Sequence, residues 1–486
     1  TGRNGRHPLP DRETLRRKMK LEEKYQREPF AADVSEGKND QIYLAHTYHT
    51  KVPHKAIMRY ILHYTEPGDI VFDGFCGTGM TGVAAQLCGD KKVVEQLGYR
   101  VDTKGVIWDG EKAISRLGAR KAVLNDLSPA ATFIAYNYNT PVDSAAFERE
   151  ANRILKEVER ECGWMYETWH PNCEDPNRVK CKVNYTVWAD VFSCPQCGNE
   201  MNFWDAAVDK STWQVVDSWN CPDCGALLAK EVQKEIGALK AERVWELYYD
   251  YYLNQSIRRV KQVPAFINYI FGKKKFNKQP DSSDISLLEQ IENSKIPYRI
   301  PTTALPNGDK TGDPRNVGVT NVHHFYTRRN LFALAAFAFK LKTPQKYIDV
   351  ISTATVISRM YRFRSQNSSL GAGGGPLNGT LYIPSLSKEI PILKAIKEHI
   401  TKSHNVAHIL SNISPNSIST GSHTELTNIA SNCMQYIFTD PPFGSNLIYS
   451  ELNLIWEAWL NVFTGNKHEA VISNSQRKKL QDYQDL

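Results

Sequence analysis

The sequence predicts an α/β protein built on a doubly wound, mostly parallel sheet that carries large insertions. Three observations predict it. Ile70-Val71-Phe72 is a short apolar strand that runs into a glycine-rich turn, Asp73-Gly74-Phe75-Cys76-Gly77-Thr78-Gly79, and then into a helix of small and apolar residues from Met80 to Leu87. Strand, glycine turn and helix form the opening unit of a doubly wound domain. Ala119 to Leu124 reads as a second strand, ending at Asp126 and followed by a helix over Ala130–Tyr136. Near the other end, Tyr436-Ile437-Phe438-Thr439 is an apolar strand that stops at Asp440-Pro441-Pro442-Phe443.

Composition agrees with a folded protein. The chain has 486 residues, 41% hydrophobic and 23% charged. At roughly 100–200 residues per domain this means two to four domains, or one domain with large insertions. A disordered, collagenous or coiled-coil chain is excluded. The balance of 60 Lys+Arg against 53 Asp+Glu gives +7, compatible with a polyanionic partner but too small to argue for one. No apolar run of membrane-spanning length occurs, and Thr1 to Lys20 is polar and charged, so neither a membrane span nor a secretory signal is expected. Four of the ten cysteines fall into two Cys-x-x-Cys pairs, which suggests metal in a reducing compartment and a cytoplasmic location.

The chain divides into five stretches. Residues 1–41 form a charged arm, with Arg16, Arg17, Lys18, Lys20 and Lys24 among Glu22, Glu23 and Glu28. It reads as a solvated helix or arm, or more sharply as a nucleic-acid contact. Residues 42–158 hold the glycine turn; Pro53–Tyr64 is an amphipathic helix and 90–113 a polar insertion. Residues 159–230 are rich in Cys, Trp and Asp. In 231–324, helical spacing returns as far as about Tyr252, a basic stretch follows, and 279–324 reads as mostly loop, so this insertion is expected to be basic, helical and loop-like. Residues 325–486 contain probable helices at Tyr326–Lys342 and Tyr347–Tyr361, a glycine-rich loop at Ser368–Gly379, the Asp440 strand and a last helix over Ser450–Val462. No internal repeat is present.

A glycine-rich strand-to-helix turn lets a ligand approach backbone amides at a helix N-terminus. The spacing here is G-T-G, and no Walker Lys-Ser/Thr follows, so a phosphate cradle is disfavoured. Asp126 closes the second strand where a carboxylate can accept from ribose hydroxyls, or where it caps the helix after Ser128-Pro129. In Asp440-Pro441-Pro442-Phe443 two prolines fix the backbone and remove two N–H donors. That leaves carbonyl and carboxylate acceptors beside an aromatic face, a combination suited to an exocyclic amine on a planar base. Alone the tetrapeptide is usually a turn; after an apolar strand, and in a chain with the glycine turn, the functional reading is favoured.

Phe72 to Gly79 together with Asp440 to Phe443 resembles the amino-methylating DNA methyltransferases, which act on adenine N6 or cytosine N4 with S-adenosylmethionine. The closest likeness is to adenine-specific methylases with a zinc ribbon inside the catalytic domain; Gly379-Thr-Leu-Tyr-Ile-Pro384 and Tyr449-Ser-Glu-Leu-Asn453 with Trp456 and Trp459 add to it. The resemblance covers most of 42–465 and says less about 1–40 and 230–320. It implies a Rossmann-like class I methyltransferase sheet and double-stranded DNA as substrate. It makes Asp440, Pro441, Pro442 and Phe443 the catalytic residues. His49-Thr50-Lys51-Val52-Pro53 is similar to the segment beside the methionine end of the cofactor, which brings in Thr50 and Lys51. The glycine turn contributes Asp73, Phe75, Cys76, Gly77, Thr78 and Gly79, and Asp126 matches the ribose carboxylate. Thr420-Gly421-Ser422 lies where the family contacts the adenine ring, with Ser422 standing where many members have Asp.

Cys194-Pro-Gln-Cys197 and Cys221-Pro-Asp-Cys224 each form a knuckle presenting two thiolates, and together complete a tetrahedral all-sulfur site. Zinc is the default metal, with iron the minor alternative. With no open position, such a site is structural. Phe203, Trp204, Trp213 and Trp219 more often form the small core of a metal domain than a base-stacking surface. Cys162, His170, Cys173 and Cys181 are a weaker second candidate because their spacing is irregular.

The first candidates for phosphate contacts are Arg258, Arg259, Lys273, Lys274 and Lys275. Next come Arg359, Arg362 and Arg364, interleaved with Tyr361 and Phe363 and followed by a mobile Gly371–Gly375 loop that enters a groove or supports a flipped base. Solvated charge is an equally good account of both groups. Tyr326-Thr-Arg-Arg329 has no assignable role.

These readings converge on adenine-N6 methylation of a flipped DNA base, with restriction-modification as the setting. Cytosine-N4 or RNA-base methylation, and a nucleic-acid-binding subunit inactive without a partner, are the alternatives. A methyltransferase sheet usually has seven strands with the Asp440-type motif on the fourth, and the polar residues beyond Val462 do not read as three more. The catalytic sheet is thus expected to lack its far half, which implies a fragment, a truncated homologue, or a second polypeptide such as a restriction or defence-system subunit that completes it.

Overall fold

The computed structural model describes residues 27–170, 179–341, 347–366, 369–424, 426–427 and 429–486. Most of the charged arm and Cys173 lie outside them. Helices pack around a four-stranded parallel sheet with strand order Ser417–Thr420, Lys121–Asp126, Ile70–Asp73, Tyr436–Ile437. Val71 pairs with Ala122 on one side and Tyr436 on the other, and Ile418 pairs with Leu124. Because all four strands run the same way, Asp73, Asp126, Thr420 and the approach to Asp440 emerge at one edge of the sheet. The chain steps outward through the first three strands, then returns to the other side of Ile70–Asp73 for the fourth. This reversal opens a crevice at the carboxyl ends of Ile70–Asp73 and Tyr436–Ile437, the position where open α/β sheets bind ligands.

Val71, Ala122 and Leu124 are fully covered, as expected for a parallel sheet with helices on both faces. On His54–Tyr64 the residues Ile57, Met58, Ile61 and Leu62 face the core. Met80–Leu87 is buried along its whole length, which explains its small, apolar sequence. The polar insertion is structured: helix Lys91–Gln96 leads into an antiparallel three-strand meander over residues 100–116.

A second sheet of nine strands is organised around the 14-residue strand Lys180–Ser193. Gln262–Phe271 and Leu386–Glu389 flank it in antiparallel register, with Lys274–Lys278 outside the first and Arg362–Gln366 and Ser369–Gly375 outside the second. One sheet therefore draws strands from the cysteine-rich stretch, the basic insertion and the segment before Asp440. Helices Ser144–Cys162, Arg328–Lys340 and Ile392–Ile409 lie between the sheets and share one apolar core with the parallel sheet.

Three expectations need correction. Residues 229–252 are not helical beyond a single 3-10 turn at Lys234–Ile236; Trp245–Asp250 and Gln255–Val260 form a β-hairpin. The aromatic, alternating Trp-Glu-Leu-Tyr-Tyr favours a pleated surface, and Asn254 takes the left-handed φ of 52° that the turn needs. Within 279–324 there is a helix, Ser282–Asn293, started by a capping box between Asp281 and Asp284. Finally, Ser369–Gly375 is a strand paired with Arg362–Gln366 rather than a mobile loop. Gly374 is required there: a Cβ would lie 2.1 Å from the Arg362 carbonyl oxygen.

Candidate active site

One cavity lies at the crevice. Its walls include the glycine turn from Asp73 to Thr78, Asp126, Thr50, Lys51, Asp440 and Pro442. The strand Tyr436–Ile437 carries Asp440 to this place from more than three hundred residues beyond the glycine turn.

The turn is held from below. Asp73 is buried; its carboxylate accepts from Thr81 Oγ1 at 2.5 Å and from the Phe75 amide at 3.1 Å. Burial pushes Asp73 up to about 7. Asp126 accepts from the Gly77 amide at 2.8 Å and the Ser128 amide at 2.9 Å, and burial pushes it up to about 6. The N-cap of the following helix is Ser128, whose hydroxyl accepts from the Ala131 amide. Capping therefore does not explain Asp126. Gly79 serves packing: its φ is +75°, and a Cβ there would lie 2.6 Å from Asn139 Nδ2 and 2.7 Å from Ala135 Cβ. Gly77, by contrast, faces the Tyr48 ring. Among the described residues the buried Thr78 hydroxyl has no partner, and Cys76 lines the same cavity, so an orphaned polar atom, a carboxylate and a glycine turn converge where a nucleoside cofactor would lie.

Thr50 Oγ1 lies 2.6 Å from the Tyr449 hydroxyl, and both line the cavity. Lys51 directs Nζ to the carbonyls of His46, at 2.6 Å, and Tyr43; burial lowers it to about 7. Ser422 turns away: it is half-buried and pairs with Thr424 at 2.7 Å, while the next residue, His423, lines the cavity and packs on Phe75 with ring centroids 4.2 Å apart. Asp440 is half-buried, and burial raises its carboxyl above the ordinary range. Pro441 is exposed, the Pro442 carbonyl accepts from the Tyr483 hydroxyl at 2.7 Å, and Phe443 is 58% exposed. Sequence reasoning did not find Tyr48, His423 or Glu469 as cavity residues; the first two adjoin motif residues, and that adjacency was the available signal.

The four cysteines come together. Cys194 Sγ lies 3.7 Å from Cys224 Sγ, and Cys197 Sγ lies 3.6 Å from Cys221 Sγ. A tetrahedral zinc with Zn–S bonds of about 2.3 Å requires edges of roughly 3.8 Å, so the donor set fits this ion. Phe203 and Trp219 are buried edge-to-face beneath the cluster, as the core of the ribbon. Among the described residues, Cys162 and Cys181 lie in separate apolar clusters, and His170 bonds Tyr269, so no second cysteine centre forms there. A further group, Asp250 with His323 and His324, reads as a hydrogen-bond hub rather than a metal site. His324 Nδ1 accepts from the Thr320 and Asn321 amides, which leaves the proton on Nε2 to be donated to Asp250.

The candidate phosphate contacts separate. Lys273, Lys274 and Lys275 stand exposed at the tip of the hairpin 262–278, and Arg364 is exposed. Arg258 is exposed beside the Trp245 ring, whereas Arg259 pairs with Glu246 over Tyr248. Arg359 directs its guanidinium inward to Gln262 and the His324 carbonyl, and Arg362 bonds the Gly375 carbonyl. Arg359 is thus occupied inside the protein, which corrects the expectation that it faces phosphate, while Arg259 is partly exposed and paired with Glu246.

Residues 10–135 match the N6_N4_Mtase family of DNA methylases. The match includes the glycine turn and Asp126, and it supports a DNA methyltransferase, with S-adenosylmethionine and DNA as the implied cofactor and substrate. No curated protein and no solved structure matches the chain. Among the described residues no helix is long and apolar enough to cross a membrane.

Proposed function

We propose that this chain transfers a methyl group from S-adenosylmethionine to the exocyclic N6 amine of an adenine flipped out of duplex DNA. The observation that carries this is the meeting of the Asp440 loop with the glycine turn and Asp126 in one cavity at the sheet's reversal point. The four-strand order supports the cofactor-side half of a Rossmann-like methyltransferase sheet.

When bound, the cofactor supplies an electrophilic methyl on a sulfonium. The glycine turn and Thr78 receive its nucleoside part, with the ribose on Asp126, while Thr50 and Lys51 border the methionine end. An amine in a base pair is occupied, so the base leaves the stack first. The exposed Phe443 stacks on it. Asp440 and the Pro441 carbonyl accept the two N6 hydrogens, which orients the nitrogen lone pair at the methyl. The raised carboxyl of Asp440 suits it to take the proton the amine loses after transfer. The four cysteines hold a structural zinc, and the exposed Lys273–Lys275 tip and Arg364 contact phosphates. Ile437, on the outer strand of the parallel sheet, is 62% exposed, and a second polypeptide would add its strands along this edge.

The test is tritiated methyl transfer from S-adenosylmethionine to unmodified DNA, followed by analysis of the methylated base. N6-methyladenine is expected. N4-methylcytosine would move the target to cytosine, and binding of cofactor and DNA without transfer would leave a subunit that needs a partner.

A further inference from the structure

We propose that the ring of Tyr449, backed by Tyr48, is the group that recognises the positive sulfonium of the methyl donor. This rests on the methyltransferase reading above. Tyr449 opens the short helix after the Asp440 loop, and its hydroxyl is fixed by Thr50 Oγ1 at 2.6 Å. Its ring lies nearly parallel to that of Tyr48, at 20° with centroids 6.2 Å apart. Tyr48 is supported on Trp456, at 20° and 5.9 Å, and faces the glycine turn, where a Cβ on Gly77 would approach its Cε1 to 3.4 Å. Both tyrosines line the cavity that holds Asp126 and Asp440.

The chemistry then places the charge. A donor whose ribose sits on Asp126 and whose methyl points at an amine on Asp440 must carry its sulfur between those two carboxylates. Tyr449 lines the same cavity as both carboxylates, and burial holds its phenol protonated. Asp126 already accepts from the Gly77 and Ser128 amides, and in the reading above Asp440 faces the amine, which leaves the ring as the group on this wall to face the sulfonium. The face of a neutral phenol attracts a cation without needing a charge of its own. Lys51, the cation on this wall, has Nζ turned to two backbone carbonyls.

The experiment compares the affinities for S-adenosylmethionine and its product S-adenosylhomocysteine, whose sulfur is a neutral thioether, by titration calorimetry without DNA. The wild-type chain is expected to prefer the sulfonium. Tyr449→Phe keeps that preference, because the ring remains. Tyr449→Leu lowers the ratio by about fivefold or more while S-adenosylhomocysteine binding persists, and Tyr48→Leu lowers it less. An unchanged ratio in Tyr449→Leu overturns the proposal. If that variant loses S-adenosylhomocysteine binding as well, the ratio in Tyr48→Leu decides, and no change there overturns it. Equal wild-type affinity for the two compounds sinks this inference alone, whereas binding of neither sinks the methyltransferase reading with it.

Discussion

The Gly77 amide donates to Asp126 Oδ2 at 2.8 Å, tying the glycine turn to the end of the second parallel strand. One carboxylate thereby shapes the turn and closes the place where a ribose would lie. Replacing it removes both contributions. Asp126→Ala is expected to weaken S-adenosylmethionine binding by about 10- to 100-fold, the range for losing a charged hydrogen-bond acceptor. Calorimetric titration checks it; an affinity within twofold of wild type would remove Asp126 from the cofactor site.

Asp73, beneath the same turn, sets a pH dependence. Burial raises it from the ordinary 3.8 to about 7, so the folded state holds this proton more tightly than the unfolded chain. Its contribution to stability is therefore complete below about pH 4 and is lost as pH rises through about 7. Asp126, raised to about 6, titrates with the same sign. Urea unfolding between about pH 5 and 8 should show the wild type losing stability relative to Asp73→Asn as pH rises; parallel curves would show that Asp73 is ionised throughout.

Asp440 separates chemistry from cofactor binding. It reaches the cavity from the outer strand, beyond the glycine turn and Asp126. Asp440→Ala is expected to abolish methyl transfer while S-adenosylmethionine affinity stays within about threefold of wild type. Full transfer activity in this variant would overturn the mechanism. Asp440→Asn keeps one acceptor oxygen but introduces an amide donor, so weak residual transfer at most is expected.

What could be read from the sequence followed locality. The Ile70–Asp73 strand, its glycine turn and the helix from Met80 are adjacent in the chain, and their pattern was legible. The two Cys-x-x-Cys knuckles were legible because metal geometry dictates spacing. The nine-stranded sheet was not, because Lys180–Ser193 pairs with residues about 80 and 200 positions away, and no local pattern states that partnership. The strand character of Ser369–Gly375 was hidden by its glycines, which usually signal a loop and here permit close pairing. Arg359 illustrates the limit for charge: beside Tyr361 and Arg362 it looked like a phosphate contact, yet Gln262, far away in sequence, holds it inside.

The cysteine cluster predicts metal content. Both sulfur pairs stand near the edge length of a zinc tetrahedron, so one tightly bound zinc per chain is expected by elemental analysis. Cys197→Ser should lose that metal. The ribbon core should loosen with it, because Phe192 on the long strand packs against Phe203 and Trp219 under the cluster. A shift in tryptophan emission on chelation checks this. Zinc retained in Cys197→Ser would show that the metal has other ligands.

Arg329 and Glu389 predict where the helical layer is anchored. Tyr326-Thr-Arg-Arg329 has no legible role in the sequence, but in the fold Arg329 is buried and makes a two-pronged ion pair with Glu389, with a further bond to Thr186 Oγ1 at 2.8 Å. Trp188 Nε1 also donates to Glu389 at 2.8 Å, so helix Arg328–Lys340 is fastened to two adjacent strands of the large sheet. Burial opposes ionisation of Glu389, but the Arg329 guanidinium outweighs it and holds the carboxyl below its ordinary range. Its stabilising contribution is present above the unfolded-state value and is lost as pH falls through the lower, folded one. Removing one partner leaves the other charge buried and alone, a loss of about 3–5 kcal/mol. Arg329→Met and Glu389→Leu should each be strongly destabilising in urea unfolding, and the double variant should recover part of the loss, since no charge is then stranded. Additive losses in the double variant would show that the two side chains act separately and that packing, rather than the ion pair, joins the helix to the sheet.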